Sequence, residues 1–292
     1  MRYILKCLCF FTLFIFIFLY IIFYKDTLSG IVLNTILLWI KNIVPVLFPT
    51  FILSDLLFNS NIPFYLYKYF HLNYILLFSV LFGSPSNAYL ISNYNVNYDK
   101  YLSVTKYTSL IFIYSMLSRL FNLYTTLVLI LVNILCNFIL IKFIKLPKID
   151  LSINSNKFNL IDSVNRSFSV LVSILGILIF TNLLPIFLIH SEYIKLFLYS
   201  ITEITTFFNY LNIYNVSYYI KIIFSIIAIS SCGISIELQI KSIITDTSIN
   251  YYKYRLIHFI LYLLICIMLL YWIRILYHYL QYLNHYLNHT II

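Results

Sequence analysis

LFGSPSNAYL, residues 81–90, breaks the chain where its surroundings are most apolar. The run before it, HLNYILLFSVLF (71–82), makes about 18 Å of helix at 1.5 Å per residue, well short of a hydrocarbon core of about 30 Å. Gly83 and Pro85 then interrupt the helix, Ser84, Ser86 and Asn87 follow with polar groups, and YLISNYNVNY turns polar within a few residues. Half a helix in, a Gly/Pro/Ser tip and half a helix out is the pattern of a re-entrant hairpin. Backbone at such a tip survives at membrane depth only inside protein or beside a watery cavity. The plainer alternative is a surface turn, since the same residues are turn formers.

The rest of the chain supports a membrane setting. Of 292 residues, 62% are apolar and 10% charged, against the roughly 25% charge of an ordinary soluble domain. Apolar stretches of about 20 residues, each long enough to span a bilayer, recur from end to end. The expected fold is therefore an all-α membrane protein, a polytopic helical bundle of about eight helices. The net charge of +10 is dispersed at the ends of apolar runs, so it reads as topology and not as a nucleic-acid surface. Lys142, Lys145, Lys148 and Lys157 put the polar linker 146–158 on the cytoplasmic side, and Arg2 and Lys6 do the same for the N-terminus. The run 4–24 has a core longer than a signal peptide's and no small-x-small site after it, so 1–27 is expected to be a retained membrane helix. Cys7, Cys9, Cys136, Cys232 and Cys266 have neither disulfide-framework nor metal spacing.

The linker divides the remainder into two halves, 28–145 and 159–292. Each has a long helix that closes on a similar signature: FILSDLLF (51–58) in the first, LIFTNLLP (178–185) in the second. Pro45 and Pro49 interrupt the first of these helices, and Asp55 lies near its end, where an intramembrane acid is expected to face protein. In the second half Glu203 sits among hydroxyls, and Ser230-Ser231-Cys232-Gly233 breaks an apolar run much as Gly83 does. Pairing Gly83 with Gly233 gives two re-entrant hairpins in an inverted repeat. Paired interruptions of this kind mark transporter sites. The spacing is uneven, 28 positions from Asp55 to Gly83 but 51 from Asn182 to Gly233, and Glu203 finds no partner in the first half.

Four stretches, in order, resemble the YlbJ-type sporulation integral membrane proteins, of the nucleoside-recognition or gate-domain group. KNIVPVLFPTFILSDLL (41–57) is similar to that family's proline-bearing segment. GSPSNA (83–88) is similar to its Gly-x-Pro tip, SITEITTF (200–207) to its Glu-Ile-Thr segment, and SCGISIELQIKSI (231–243) to its glycine–serine–glutamine pattern. The chain departs from the family at Asn87, in place of glycine, and at Tyr89, in place of lysine. It also lacks the glycines around Glu203 and the Asn and Pro element expected near TSLIFIY (108–114). The resemblance implies transport of a small anionic solute, dipicolinate crossing the outer forespore membrane during sporulation. Implied substrate contacts are Ser84, Ser86, Asn87, Glu203, Thr205, Gly233, Ser235 and Gln239. Gly83 and Pro85 would form the first tip, and Asp55 would be a coupling or structural acid. A non-transporting scaffold and a nucleoside transporter are the alternatives.

No metalloprotease, serine-hydrolase or phosphate-loop motif occurs, so an enzyme is not expected. No cofactor and no metal are expected either. His278, His285 and His289 share a helix face but have no carboxylate or cysteine beside them, and interfacial decoration is the simpler reading. The expected partners are the bilayer and the solute, with a homo-oligomer compatible and nucleic acid not expected.

Overall fold

A computed structural model describes residues 11, 15, 22–60, 62–70, 74–92, 98–106, 108–144, 146, 159–184, 191–245 and 247–290; beyond 269 only the helix itself is described. Most of the expected 1–27 helix and nearly all of the 146–158 linker lie outside these residues. So do Cys7, Cys9, Lys145, Lys148, Lys157, and the side chains of His278, His285 and His289.

The described residues form helices joined by turns and short irregular segments; the β contact among them is an isolated bridge between Ser84 and Thr108. Helix α1 (Lys25–Leu38) runs through a π turn (Trp39–Ile43) into α2 (Val44–Asn59). Short helices follow: α3 (Ile62–Phe70), α4 (Tyr74–Phe82), α5 (Ser86–Ser92), α6 (Tyr98–Thr105) and α7 (Leu110–Leu117), then the long α8 (Leu123–Phe143). The second half comprises α9 (Leu160–Leu183), α10 (Glu192–Thr202), α11 (Ile204–Ile213), α12 (Tyr218–Ser231), α13 (Gly233–Ile243) and α14 (Ile249–Thr290). Among the described residues, five runs are long and apolar enough to cross a membrane: Lys25–Leu57, Leu123–Phe143, Leu160–Leu183, Tyr218–Ile243 and Ile249–Leu269.

Local chemistry sets the helix starts. Asn122 accepts from the Thr125 N–H at the head of α8, Asn159 from Ile161 at α9, and Ser217 from Ile220 at α12. Each satisfies one of the backbone donors that a helix start leaves open. The helices then turn their polar side inward. On α8, Leu127, Leu131, Leu135 and Phe138 form an exposed stripe, while Asn133, Cys136 and Asn137 are buried. On α9, Phe168, Val172 and Phe180 are exposed, whereas Ser163, Ser167, Thr181 and Asn182 are buried. Water would penalise that arrangement; a hydrocarbon surround favours it.

Two ties make α1–α2 antiparallel to α9. Near one end Asp55 Oδ2 accepts from Ser163 Oγ at 2.8 Å and pairs with Arg166 at 3.2 Å. Near the other, Asn182 Nδ2 donates to Thr35 Oγ1 at 3.0 Å. Thr35 and Asp55 are 20 positions apart, Ser163 and Asn182 19. The two segments thus carry a hydroxyl and an acid or amide at almost the same separation, and a π turn inserts the one extra residue on α1–α2. The remaining helices pack as α5 on α2, α13 on α5 and α9, and α14 on α6, α8 and α12. Tyr101, Tyr251, Tyr262 and Phe207 are fully buried between them.

Candidate functional site

Four helix breaks meet in the interior, two from each half. The first, at Gly83–Pro85, joins α4 to α5, which pack back on each other. The second, Lys106–Ser109, lies between α6 and α7, which do not pack side by side. The third, at Glu203, is a fold-back: Tyr199 before it stacks on Tyr210 after it, with ring centroids 4.8 Å apart. The fourth, at Cys232 and Gly233, sits inside the span Tyr218–Ile243, and α12 and α13 touch only near the break. The sequence reading put the second turn-back at Gly233; the helices that fold back are instead α10 and α11, at Glu203. Consecutive left-handed residues, Cys232 at φ 58° and Gly233 at φ 74°, kink the α12–α13 span.

The breaks come in contact pairs. Ser84 bridges Thr108, and Gly83, at φ 70°, lies so close to the second break that a Cβ there would sit 2.2 Å from the Ser109 nitrogen. In the second half, a Cβ on Gly233 would sit 3.1 Å from the Thr202 carbonyl oxygen, and Ser231 Oγ donates to the Ser200 carbonyl at 3.2 Å. In chain order, then, Glu203 answers Gly83, and Cys232–Gly233 answers Lys106–Ser109.

Between the breaks lies a cavity of about 60 Å³. Ser84, Pro85, Thr108, Ser109, Glu203, Thr205 and Gln239 line it, so three of the breaks and the helix following the fourth contribute. Ser84 Oγ and Thr108 Oγ1 are buried and make no hydrogen bond to any described residue. The structure thus brings together five of the expected residues: Ser84, Pro85, Glu203, Thr205 and Gln239. The others are engaged elsewhere. Ser86 Oγ shares a hydrogen bond with Thr50 Oγ1 at 2.8 Å, and the Asn87 amide donates to the Thr105 carbonyl, tying α5 to α6. Ser235 Oγ accepts from Gln239 Nε2 at 3.0 Å. Both Glu203 carboxylate oxygens accept backbone N–H groups, from Thr205 and Thr206, and so cap α11. Asp55 is 1% exposed and accepts from Tyr89 Oη at 3.0 Å as well as from Ser163 and Arg166; it ties α2, α5 and α9 together. Tyr89 thus supplies a hydrogen bond to Asp55 from the position where the resembled family has lysine.

Larger cavities flank the small one. The first, of about 480 Å³, is lined by Asn34, Thr35, Lys41, Asn42, Asn182 and Asn209, among others. Asn42, in the π turn, belongs to both it and the small cavity, and the α11 tip divides them, with Thr205 on one side and Thr206 on the other. This vestibule lies toward the end of the bundle where Thr125 meets Tyr218. The second, of about 220 Å³, is lined by Lys106, Ser231, Gly233, Glu237, Tyr252 and Arg255, among others, toward the end where Ser248 donates to Asp99. Lys106 bonds Glu237, and Tyr251 Oη donates to the same carboxylate oxygen at 3.0 Å.

The sequence reading missed Lys106 and Arg255. The signal was present in SVTKYTS (103–109), a lysine bracketed by hydroxyls, and in YKYRLIHF (252–259), an arginine inside an apolar helix. Among the described residues no group of three or more His, Cys, Asp or Glu side chains could hold a metal ion. Comparisons with protein families, curated proteins and solved structures find no match to this chain.

Proposed function

We propose that this protein carries a small anionic solute across a membrane by alternating access. The observation that supports this most is one cavity lined by three helix breaks and by the helix that follows a fourth, with two unpartnered hydroxyls in it. Interrupted helices leave backbone donors and acceptors open, which are tolerated at membrane depth only inside protein or beside a watery cavity, where they can serve a solute or an ion. In this reading α4–α5 and α10–α11 are re-entrant hairpins entering from opposite faces, while α6–α7 and α12–α13 are broken crossings.

The cavity is small in the arrangement seen. About 60 Å³ compares with roughly 150 Å³ for a cavity that takes benzene. A solute therefore reaches the breaks only when a hairpin moves, and the small cavity is the closed waist between two open chambers. An anion is favoured because Lys41 lines the vestibule, and Lys106 and Arg255 outnumber Glu237 in the opposite chamber. The resemblance to the sporulation membrane proteins makes dipicolinate the first solute to test, and the outer forespore membrane the first place to look.

The test is uptake of labelled dipicolinate into proteoliposomes, with unlabelled nucleosides as competitors. Ser84→Ala, Thr108→Val and Gln239→Ala should each reduce uptake several-fold at unchanged protein content. Competition by nucleosides would reassign the solute. No uptake of either by folded protein would overturn the transport reading and favour a membrane scaffold.

A further inference from the structure

The chamber beneath the second and fourth breaks has a charge imbalance that its own residues do not correct. Lys106 is 3% exposed and pairs with Glu237. That leaves Arg255, 8% exposed, as a second buried cation lining the same space. Its hydrogen bonds reach neutral acceptors only: the Ser103 carbonyl at 3.4 Å, Cys232 Sγ at 4.0 Å and His258 Nδ1 at 3.4 Å. Among the described residues no carboxylate pairs with it. One carboxylate, Glu237, thus serves two buried cations, and a buried charge left undercompensated is disfavoured. The chamber also holds the start of α13, an 11-residue helix with no side-chain cap, where Gly233 and Ile234 line the cavity. Ser231 Oγ accepts the Gly233 N–H at 3.2 Å; the first-turn N–H groups after it and the helix dipole favour negative charge at that end. Its volume of about 220 Å³ has room for an aromatic acid, unlike the waist.

We propose that this chamber is a carboxylate-binding site, with Arg255 as the principal contact, the start of α13 as the second, and the Lys106–Glu237 pair as its fixed wall. Arginine suits this task because its planar fork can take both oxygens of a carboxylate. The site deepens the transport reading, on which its place in the solute's path rests, but binding there can be read without transport. Ser231 and Gly233 connect the site to the third break through Ser200 and Thr202. Occupation of the chamber would therefore act on the α10–α11 hairpin, which separates the waist from the vestibule.

The experiment uses the full chain in detergent. Thermal unfolding is followed with added acetate, benzoate or dipicolinate, each against chloride at matched ionic strength, and binding of labelled dipicolinate is measured in parallel. Benzoate and dipicolinate should raise the midpoint of the wild type more than chloride does. Arg255→Gln should weaken binding by about thirty-fold or more, the expected result of removing one partner of a buried charged contact. Arg255→Lys keeps the charge but loses the fork, and should fall between. Arg119→Gln removes an exposed cation elsewhere and should bind as the wild type does. If Arg255→Gln fails to fold, Arg255→Lys, which keeps the buried charge, carries the test of the site. Equal binding by wild type and Arg255→Lys, or no carboxylate effect on the wild type, overturns the site. Uptake that persists in either case leaves the transport reading standing. Binding that depends on Arg255 without any uptake keeps the site and sinks the transport reading.

Discussion

At the scale of single residues, the two break glycines answer to different constraints. Both have positive φ, which costs an L-residue roughly 1–2 kcal/mol. At Gly83 the added methyl would also meet the Ser109 backbone at 2.2 Å, and a main-chain neighbour cannot rotate away. At Gly233 the nearest atom is the Thr202 carbonyl oxygen at 3.1 Å, a contact that a small shift relieves. Gly83→Ala should therefore destabilise by more than about 3 kcal/mol and Gly233→Ala by about 1–2 kcal/mol. Thermal unfolding in detergent checks the order; the reverse order would mean that the first pair of breaks is not in contact. Gly83 was legible in the sequence as a break because glycine and proline together interrupt an apolar helix. Asp55 was legible only as an acid that must face protein. Its partners Ser163 and Arg166 are more than a hundred positions away, and no local pattern indicates such a contact.

At the scale of elements, the fold-back at Glu203 shows why half of the breaks escaped a sequence reading. SITEITTF holds neither glycine nor proline. The chain turns there because an acid in extended conformation, φ −148° and ψ 107°, caps the next helix. A cap leaves a fainter trace than a breaker, since acids also occur within helices. The break at Lys106–Ser109 is fainter still, as Ser109 precedes α7 at φ −47° and ψ 132° without a side-chain cap. Glycine was thus matched with glycine, whereas the repeat proposed here matches a fold-back with a fold-back. Because both Glu203 oxygens face α11, its contribution is expected to be structural. Glu203→Ala should cost about 1 kcal/mol, and Glu203→Gln less, since the amide oxygen can still accept one N–H. Glu203→Gln should also keep most of the wild-type uptake. Lost uptake by a folded Glu203→Gln would instead make the carboxylate a contact of the solute or of a coupling ion.

For the whole molecule, the side-chain ties fix which ends lie together. Asp55 meets Ser163 and Arg166 at the α9 start, and Lys142 lies in the last turn of α8, just before the linker. Asp99 meets Ser248 where α6 and α14 begin. At the other end Thr125 of α8 meets Tyr218 of α12, and Phe121 packs edge-on against Tyr218. If the lysine-rich linker is cytoplasmic, α1–α2 and α9 cross in opposite senses, and so do α6–α7 and α12–α13, as an inverted repeat requires. The vestibule then opens away from the cytoplasm and the Arg255 chamber toward it. Added cysteines, in a background with Cys7 and Cys9 replaced by serine and the buried Cys136, Cys232 and Cys266 kept, test this with a membrane-impermeant maleimide on sealed, oriented vesicles, the background itself serving as the blank. Tyr124→Cys and Tyr219→Cys, both at exposed positions, should be labelled from the face opposite the linker. Asn209→Cys should be labelled from that same face through the vestibule. Lys253→Cys should react only once the vesicles are opened or inverted. Labelling of Tyr124→Cys and Lys253→Cys from one face would break the opposed arrangement of the halves. With it would go the series of vestibule, waist and chamber, because two chambers opening on the same side cannot alternate across a membrane.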